Sequence, residues 1–264
     1  MQLLSPISGK RKYQVIFEQL HQISLLGMNI GGGDNPQNSG EISVMKYIKN
    51  KLHAETKIII FDVGANVGRY SLLLQDVFQD NCSIHAFEPS KGTFQKLLLN
   101  IENKENVNLN NFGFGDENKK MMLYYDSPGS GLASVYKRRL EKHAMNKNEE
   151  IEIKTIDSYC NDNNIKHIHF CKLDVEGHEF KVLKGAEKML NSGSIDFIQF
   201  EFGGCNIDSK TYFKDFYYFF KDNYTIYRIL KDGLRQIKKY KEKYEIFVTT
   251  NFLVEKKKAA KISV

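Results

Sequence analysis

A chain of 264 residues that is 41% hydrophobic and 27% charged, with 19 Gly and only 4 Pro, has the profile of an ordinary soluble globular protein, which excludes collagen-like, disordered and coiled-coil classes. No apolar run approaches the ~18 residues of a membrane span. The start reaches Lys10-Arg11-Lys12 without an apolar core, so no signal peptide is read there and a cytoplasmic location is the default.

In chain order, Ile16, Leu20, Ile23 and Leu26 recur at helical spacing, and Gly31-Gly32-Gly33-Asp34-Asn35-Pro36 breaks the chain before a second helix from about Glu41 to His53. Residues 1–56 are therefore expected to form an N-terminal helical cap, 57–255 the main domain and 256–264 a basic tail. From Lys57 short apolar runs alternate with amphipathic ones. Ile58 to Phe61, ending in Asp62-Val63-Gly64, suits a strand buried on both faces, and Gly68 to Phe78 reads as the helix after it. Ser83 to Phe87 is a second strand, followed by a helix with Phe94, Leu97, Leu98 and Ile101 on one face. Val107 to Phe112 is a third strand and Lys119 to Tyr125 a hairpin arm. Asp126 to Asn148 is a long polar segment of the kind that carries function.

Ile168 to Leu173 is a fourth parallel strand, followed by a helix turning Phe180, Leu183 and Leu190 inward. Ile195 to Phe202 is a fifth, followed by a helix with Phe213, Phe216, Tyr217 and Phe220 inward. Tyr224 to Leu230, the turn Lys231-Asp232-Gly233, and Tyr244 to Val254 then read as antiparallel strands. Five β-then-α units and a terminal hairpin predict an α/β fold with a mostly parallel, doubly wound sheet and an antiparallel C-terminal edge. Ligands of such sheets bind beyond the carboxyl ends of the strands, near the switch point.

Charge and cysteine content bound the partners. The net charge of +6 is carried by residues 231–261, where ten basic residues face four acids, as a lysine-guarded edge hairpin or a surface for an anionic partner would. Cys82, Cys160, Cys171 and Cys205 form no C-x-x-C pair and no zinc spacing, so they read as reduced structural thiols.

Four motifs sit at expected strand ends. In Phe61-Asp62-Val63-Gly64-Ala65-Asn66-Val67-Gly68, glycines after a buried strand let a ligand approach the backbone. An acid replaces the first glycine of the dinucleotide fingerprint. Asp62 would repel a pyrophosphate but accept from the ammonium of an amino-acid-like ligand, which favours S-adenosylmethionine over NAD. Phe87-Glu88-Pro89 places an acid 20 residues after Gly68, the offset at which an acid grips the ribose of an adenosine cofactor. Lys172-Leu173-Asp174-Val175-Glu176-Gly177-His178-Glu179 crowds ionisable groups between a strand end and a helix start. Glu201 ends the fifth strand beside them.

Asp62 to Ser71, Ala86 to Ser90, Lys172 to Glu179 with Val182-Leu183-Lys184-Gly185-Ala186 after it, and Thr250-Asn251-Phe252-Leu253 together resemble the FkbM-type methyltransferases, over about Ile58 to Val254. The resemblance implies an S-adenosylmethionine-dependent O-methyltransferase with a Rossmann-like class I methyltransferase fold. It implies that Asp62, Val63, Gly64, Ala65, Asn66, Gly68, Ser71, Glu88 and Pro89 surround the cofactor. The turn with Gly113, Phe114 and Asp116 would lie beside the adenine.

A hydroxyl acceptor needs a base or a metal. Asp174 is the expected base, or with Glu201 the ligand pair for a divalent cation such as magnesium; His178 is the alternative base and Lys172 orients the acceptor or pairs with Asp174. The hydroxyl-rich loop from Tyr125 to Ser134 reads as a lid or a connector, and Lys137-Arg138-Arg139 as a phosphate contact or an exposed face. The expected acceptor is a saccharide or another hydroxyl-bearing small molecule. The alternatives are a nucleic-acid methyltransferase, disfavoured by the lack of an aromatic-plus-basic strand pattern, and a non-catalytic adenosine-ligand-binding protein. Exposed strand and helix faces leave room for a homodimer.

Overall fold

A computed structural model of the chain describes residues 6–32, 36–102 and 104–258. The first five residues, part of the Gly/Asp/Asn breaker and positions 259–264 of the expected basic tail lie outside the described residues. Helices α1 (Gln14–Gly27), α2 (Pro36–Ser39) and α3 (Glu41–Lys51) precede the first strand, β1 (Ile58–Val63). Two βα units follow: α4 (Arg69–Phe78) with β2 (Cys82–Phe87), then α5 (Lys91–Asn100) with β3 (Val107–Asn110). A second group comprises β4 (Gly113–Phe114), β5 (Lys119–Tyr125) and β6 (Lys147–Lys154). After α6 (Ile156–Asp162) come β7 (Ile168–Leu173), α7 (Glu179–Lys184), α8 (Glu187–Asn191) and β8 (Ile195–Phe202). The chain closes with α9 (Cys205–Ser209), α10 (Phe213–Phe220), β9 (Tyr224–Leu230), β10 (Gly233–Gln236) and β11 (Thr250–Lys256).

The main sheet runs β10-β9-β11-β8-β7-β1-β2-β3. The five strands β3, β2, β1, β7 and β8 are parallel, while β11, β9 and β10 are antiparallel. Winding reverses between β1 and β7, which opens a crevice beyond their carboxyl ends. This is the doubly wound, Rossmann-like class I arrangement expected from the strand pattern and the resemblance.

Alternation along β1 divides the core. Ile58 and Ile60 face Val44, Met45 and Ile48 of α3 and Tyr70, Leu74 and Phe78 of α4. Phe61 and Val63 face the opposite cluster, which includes Val182, Leu183, Phe200, Phe213 and Phe216. At about 25 cal/mol per Å² of apolar area removed from water, these two layers dominate the stabilisation. Because α3 is part of a core layer, it carries its own Glu41 to the edge of the crevice.

Three sequence expectations change. The strand read over Tyr244 to Val254 begins only at Thr250: residues 242–244 form a short turn of 3₁₀ helix, and β11 inserts between β8 and β9 rather than capping the edge. The last two residues of the expected polar segment, Lys147 and Asn148, open β6, which pairs with β5 from Lys119↔Ile153 to Tyr125↔Lys147. This small sheet buries Leu123, Ile151 and Ile153 in a cluster of its own. Finally, the apolar stripe of α1 does not pack inward: Ile16, Leu20, Ile23 and Leu26 are exposed, and Leu25 is the buried residue of that helix. Among the described residues, no helix is long and apolar enough to cross a membrane.

Candidate active site

Backbone hydrogen bonds fasten the three strand ends together. Gly64 N and Ala65 N both donate to Phe87 O, at 3.0 and 2.9 Å, and Asp174 N donates to Val63 O at 2.9 Å. The close approach dictates glycine at 64: its φ is +84°, and an added Cβ would run into the Asp174 carbonyl oxygen. Asn66 also has positive φ, at 49°. Its side chain holds the turn, with Oδ1 accepting from Val67 N at 2.7 Å and Nδ2 donating to Ser130 O at 3.3 Å.

Two adjoining cavities open at these ends. The smaller, about 110 Å³, is lined on one side by Gly64, Asn66, Glu88, Pro89, Gly113 and Phe114. Leu123, Ile151 and Ile153 of the small sheet line the other, apolar side. Glu88 Oε2 accepts from Asn66 N at 3.0 Å and Oε1 from Ser90 N at 2.8 Å, leaving lone pairs on each oxygen for further donors. Burial pushes its carboxyl up to about 7, against the pull of those backbone N–H groups. The glycine turn, the Glu88 carboxyl with lone pairs left for further donors, and an apolar slot lined by Phe114 suit an adenosine cofactor such as S-adenosylmethionine.

Other expected cofactor residues stand behind this wall. Asp62 is fully buried; its Oδ2 accepts from Ser71 Oγ at 2.6 Å and its Oδ1 has no partner. Burial raises its carboxyl, with the Lys172 ammonium opposing. Gly68 starts α4 against Leu97 and Ile101. Asp116 lines neither cavity, because its Oδ2 binds Lys181 Nζ at 2.7 Å.

The larger cavity, about 550 Å³, has Gly64, Asn66, Gly131, Asp174 and Glu176 in common with the first. Its other lining mixes charged and polar residues, Glu41, Arg69, Arg138, Lys172, Glu201 and Asn251, with Val67, Leu132 and Cys205. Lys172 Nζ lies 2.8 Å from Asp174 Oδ2 and 4.5 Å from the Tyr70 ring centroid. Burial alone would lower this ammonium, yet Asp174, Asp62 and Glu41 together hold it above the ordinary lysine value. Glu41 is itself buried, accepting from Ser39 Oγ and Gln199 Nε2, both at 2.7 Å. Burial and the nearby Asp174, Glu176 and Glu179 raise the Glu201 carboxyl well above the usual carboxylate range, with Lys172 opposing.

The segment after β5 folds over both cavities. Ser134 Oγ donates to Glu176 O at 2.7 Å, Tyr136 Oη meets His178 Nδ1 at 3.0 Å, and Arg138 Nη1 lies 2.6 Å from Glu176 Oε2. Arg138 is therefore neither an exposed face nor a free phosphate contact; its side chain is 8% exposed and its Nε has no hydrogen-bond partner. His178 lines only the smaller cavity, away from Glu201, and burial lowers its imidazole to about 4. The structure thus brings Asp174, Lys172 and Glu201 together on the larger cavity and leaves His178 on the smaller. Glu41, Tyr70 and Tyr136 are site neighbours that no strand-end motif announces.

Asp174 and Glu201 acquire no third ligand. Among the described residues, the one set of three His, Cys, Asp or Glu side chains with ligand atoms within 4.8 Å of one another is His167, His169 and Asp196. It lies at the opposite end of β7, and His169 Nδ1 already accepts from Ile59 N at 2.9 Å, which leaves the proton on Nε2.

The fold is that of the class I methyltransferases. Residues 62–227 match the methyltransferase FkbM domain, and the chain belongs to that family. It is 26% identical over 145 residues to "Methyltransferase 1" of Beauveria bassiana, covering 48% of this chain and 58% of that protein. It is 25% identical over 169 residues to the "Hexuronic acid methyltransferase AglP" of Haloferax volcanii, covering 62% of this chain and 64% of that one. The matches thus span about three-fifths of either relative. Among solved structures, the Bacillus cereus O-methyltransferase in complex with S-adenosylhomocysteine is similar at 12% identity and a TM-score of 0.44, covering 96% of each chain. The N-terminal domain of human METTL16 is similar at 9% identity and a TM-score of 0.45, covering 82% of this chain and 70% of that chain.

Proposed function

We propose that this methyltransferase methylates an oxygen of a small-molecule acceptor, a hydroxyl of a saccharide, with Asp174 as its general base. The observation that carries this reading is the position of Asp174 on the wall common to the smaller cavity, lined by Gly64, Glu88 and Phe114, and the larger one. A cavity of about 550 Å³ lined by Glu41, Arg69, Arg138, Glu201 and Asn251 offers donors and acceptors suited to a polyol. The relative named for a hexuronic acid supports a sugar acceptor.

Gly64, Asn66, Glu88 and Phe114 would hold S-adenosylmethionine, which when bound supplies a methyl group on a sulfonium with a neutral thioether as leaving group. Asp174 Oδ1, the oxygen that Lys172 does not bind, accepts the proton of the acceptor hydroxyl. Lys172 fixes the carboxylate's direction, and Glu201 offers its carboxyl as a hydrogen-bonding group to a neighbouring hydroxyl of the acceptor. The segment carrying Tyr136 and Arg138 is fastened beside the cavities by His178 and Glu176.

Transfer of labelled methyl groups to neutral oligosaccharides, uronic-acid-containing oligosaccharides and RNA tests this. The expected product is an alkali-stable methyl ether on a sugar, absent with Asp174→Asn. An alkali-labile ester would move the acceptor to a carboxylate and remove the need for a base; label in RNA alone would overturn the saccharide assignment.

A further inference from the structure

Helix α1 projects from the body with an apolar face that nothing in the described chain covers. Val15, Ile16, Leu20, Ile23 and Leu26 are between 52% and 64% exposed. At 100° per residue they occupy an arc of about 140°, interrupted by Gln19 and Gly27. Lys10, Arg11 and Lys12, all exposed, stand at the start of the helix, and Glu18 is the one acid between positions 10 and 30. An exposed apolar stripe joined to a basic cluster is the pattern of a helix lying in the interface of an anionic bilayer.

The root of the helix lies on the rim of the larger cavity. Gly31 N donates to Thr249 O at 2.8 Å, and Thr249 lines that cavity. Asn29 Nδ2 ties the same turn to Ser39 O and Ile229 O, at 2.7 and 3.1 Å. Val248, 37% exposed, lies against Gly31 and continues the apolar surface towards the cavity mouth.

We propose that α1 docks the protein on an anionic phospholipid surface, with its apolar arc at the boundary of headgroups and acyl chains and Lys10, Arg11 and Lys12 on lipid phosphates, so that the larger cavity opens beside the membrane. A second copy of the chain is the poorer occupant. A helix about 21 Å long and 10 Å wide offers far less than the ~800 Å² per partner of a stable interface, and the basic cluster gains nothing from an apolar face.

The test is cosedimentation of the full chain with vesicles of phosphatidylcholine, with and without phosphatidylglycerol, alongside light scattering and S-adenosylhomocysteine calorimetry. Binding is expected only to the anionic vesicles, weakened on the order of tenfold by high salt and by Lys10→Gln/Arg11→Gln/Lys12→Gln, and abolished by Leu20→Glu/Ile23→Glu. Both variants are expected to bind S-adenosylhomocysteine like the parent. Should either fail to fold, the comparison of the two vesicle compositions with the parent chain decides alone. Absence of binding to anionic vesicles overturns the proposal, as does equal binding to both compositions. A dimer that Leu20→Glu/Ile23→Glu dissociates, without vesicle binding, would assign the face to a second copy.

Discussion

The Lys172 ammonium lies 2.8 Å from the Asp174 carboxylate while sitting 4.5 Å from the centre of the Tyr70 ring. One cation thereby neutralises the carboxylate proposed as the base and offsets the charge of two buried acids behind it, Asp62 and Glu41. The pair divides chemistry from structure, and the two residues are expected to fail differently. Asp174→Asn keeps the hydrogen bond to Lys172 but cannot take a proton, so kcat should fall about 10²- to 10⁴-fold with S-adenosylhomocysteine affinity nearly unchanged. Lys172→Met strands three acids around an apolar side chain and should cost about 3–5 kcal/mol of stability. Single-turnover kinetics and denaturant unfolding on both variants separate the effects; an Asp174→Asn enzyme with parental turnover would remove Asp174 from the chemistry.

Cofactor affinity should depend on pH through Glu88. Its carboxyl is raised by burial from 4.5 to about 7 in the folded protein. The folded state therefore holds this proton where the unfolded state has lost it, so the acid's contribution to stability falls as pH rises from about 4.5 through 7 and is constant above. Ribose hydroxyls donate best to the ionised carboxylate, so binding of S-adenosylhomocysteine should tighten several-fold between pH 6 and 8. Glu88→Gln should bind more weakly and with a shallower profile, the slope that remains belonging to Glu176 and Glu179, which burial raises to about 8 and about 7 in both proteins. A parental slope in the variant would place the titration elsewhere.

The parallel strands and the candidate site at their ends were legible because buried parallel strands are written as short β-branched runs and because glycine and acid at their ends have chemical reasons. The resemblance supplied the class and the cofactor. The small sheet was not seen, although Glu150-Ile151-Glu152-Ile153 alternates as a half-buried strand should: the long charged approach to it masked a period of two. Thr155, which accepts from Ser158 N at 3.0 Å as the N-cap of α6, was an equally local signal. The stripe on α1 shows the opposite limit. Periodicity reports an apolar face, and only the three-dimensional structure reports whether the protein itself covers it.

The metal option for Asp174 and Glu201 leads to its own experiment. The Asp174 oxygen facing Lys172 is already bonded to a cation, and burial together with Asp174, Glu176 and Glu179 raises the Glu201 carboxyl, which disfavours its ionised, ligating form. A divalent ion would have to displace an ammonium and draw on a carboxyl whose ionisation its surroundings disfavour. Turnover is therefore expected to survive exhaustive chelation and to show no more than a twofold response to added magnesium, manganese or calcium, by any assay of methyl transfer. A chelator-sensitive activity restored by one of these ions would reinstate the pair as ligands.

The covering segment should be held by Arg138. Its guanidinium meets Glu176 at 2.6 Å with both side chains largely buried, and Ser134 and Tyr136 fasten the same stretch to Glu176 O and His178. Arg138→Leu removes the charge opposite a buried carboxylate and should release the segment rather than unfold the sheet. Amide exchange within residues 129–140 is expected to rise at least tenfold while β1 and β7 stay protected, with KM for the acceptor increasing more than kcat falls. Tyr136→Phe, which removes one neutral hydrogen bond, should shift exchange by a smaller factor, in line with about 1 kcal/mol. Unchanged exchange in Arg138→Leu would show that the segment is held by backbone pairing alone, chiefly the Tyr124–Ser134 bridge.

Gly64 offers the sharpest structural test. Gly64→Ala must accommodate both a φ of +84° and a Cβ aimed at the Asp174 carbonyl, so the β1 and β7 ends have to part. A loss of about 2 kcal/mol or more is expected in urea unfolding, with cofactor affinity lost together with it. Gly131→Ala is the control, since Gly131 also lines both cavities but has open space where a Cβ would go. Its stability should change by no more than about 0.5 kcal/mol. Equal tolerance of the two substitutions would mean that the strand ends are not locked together as described, and that the wall common to the two cavities is free to move.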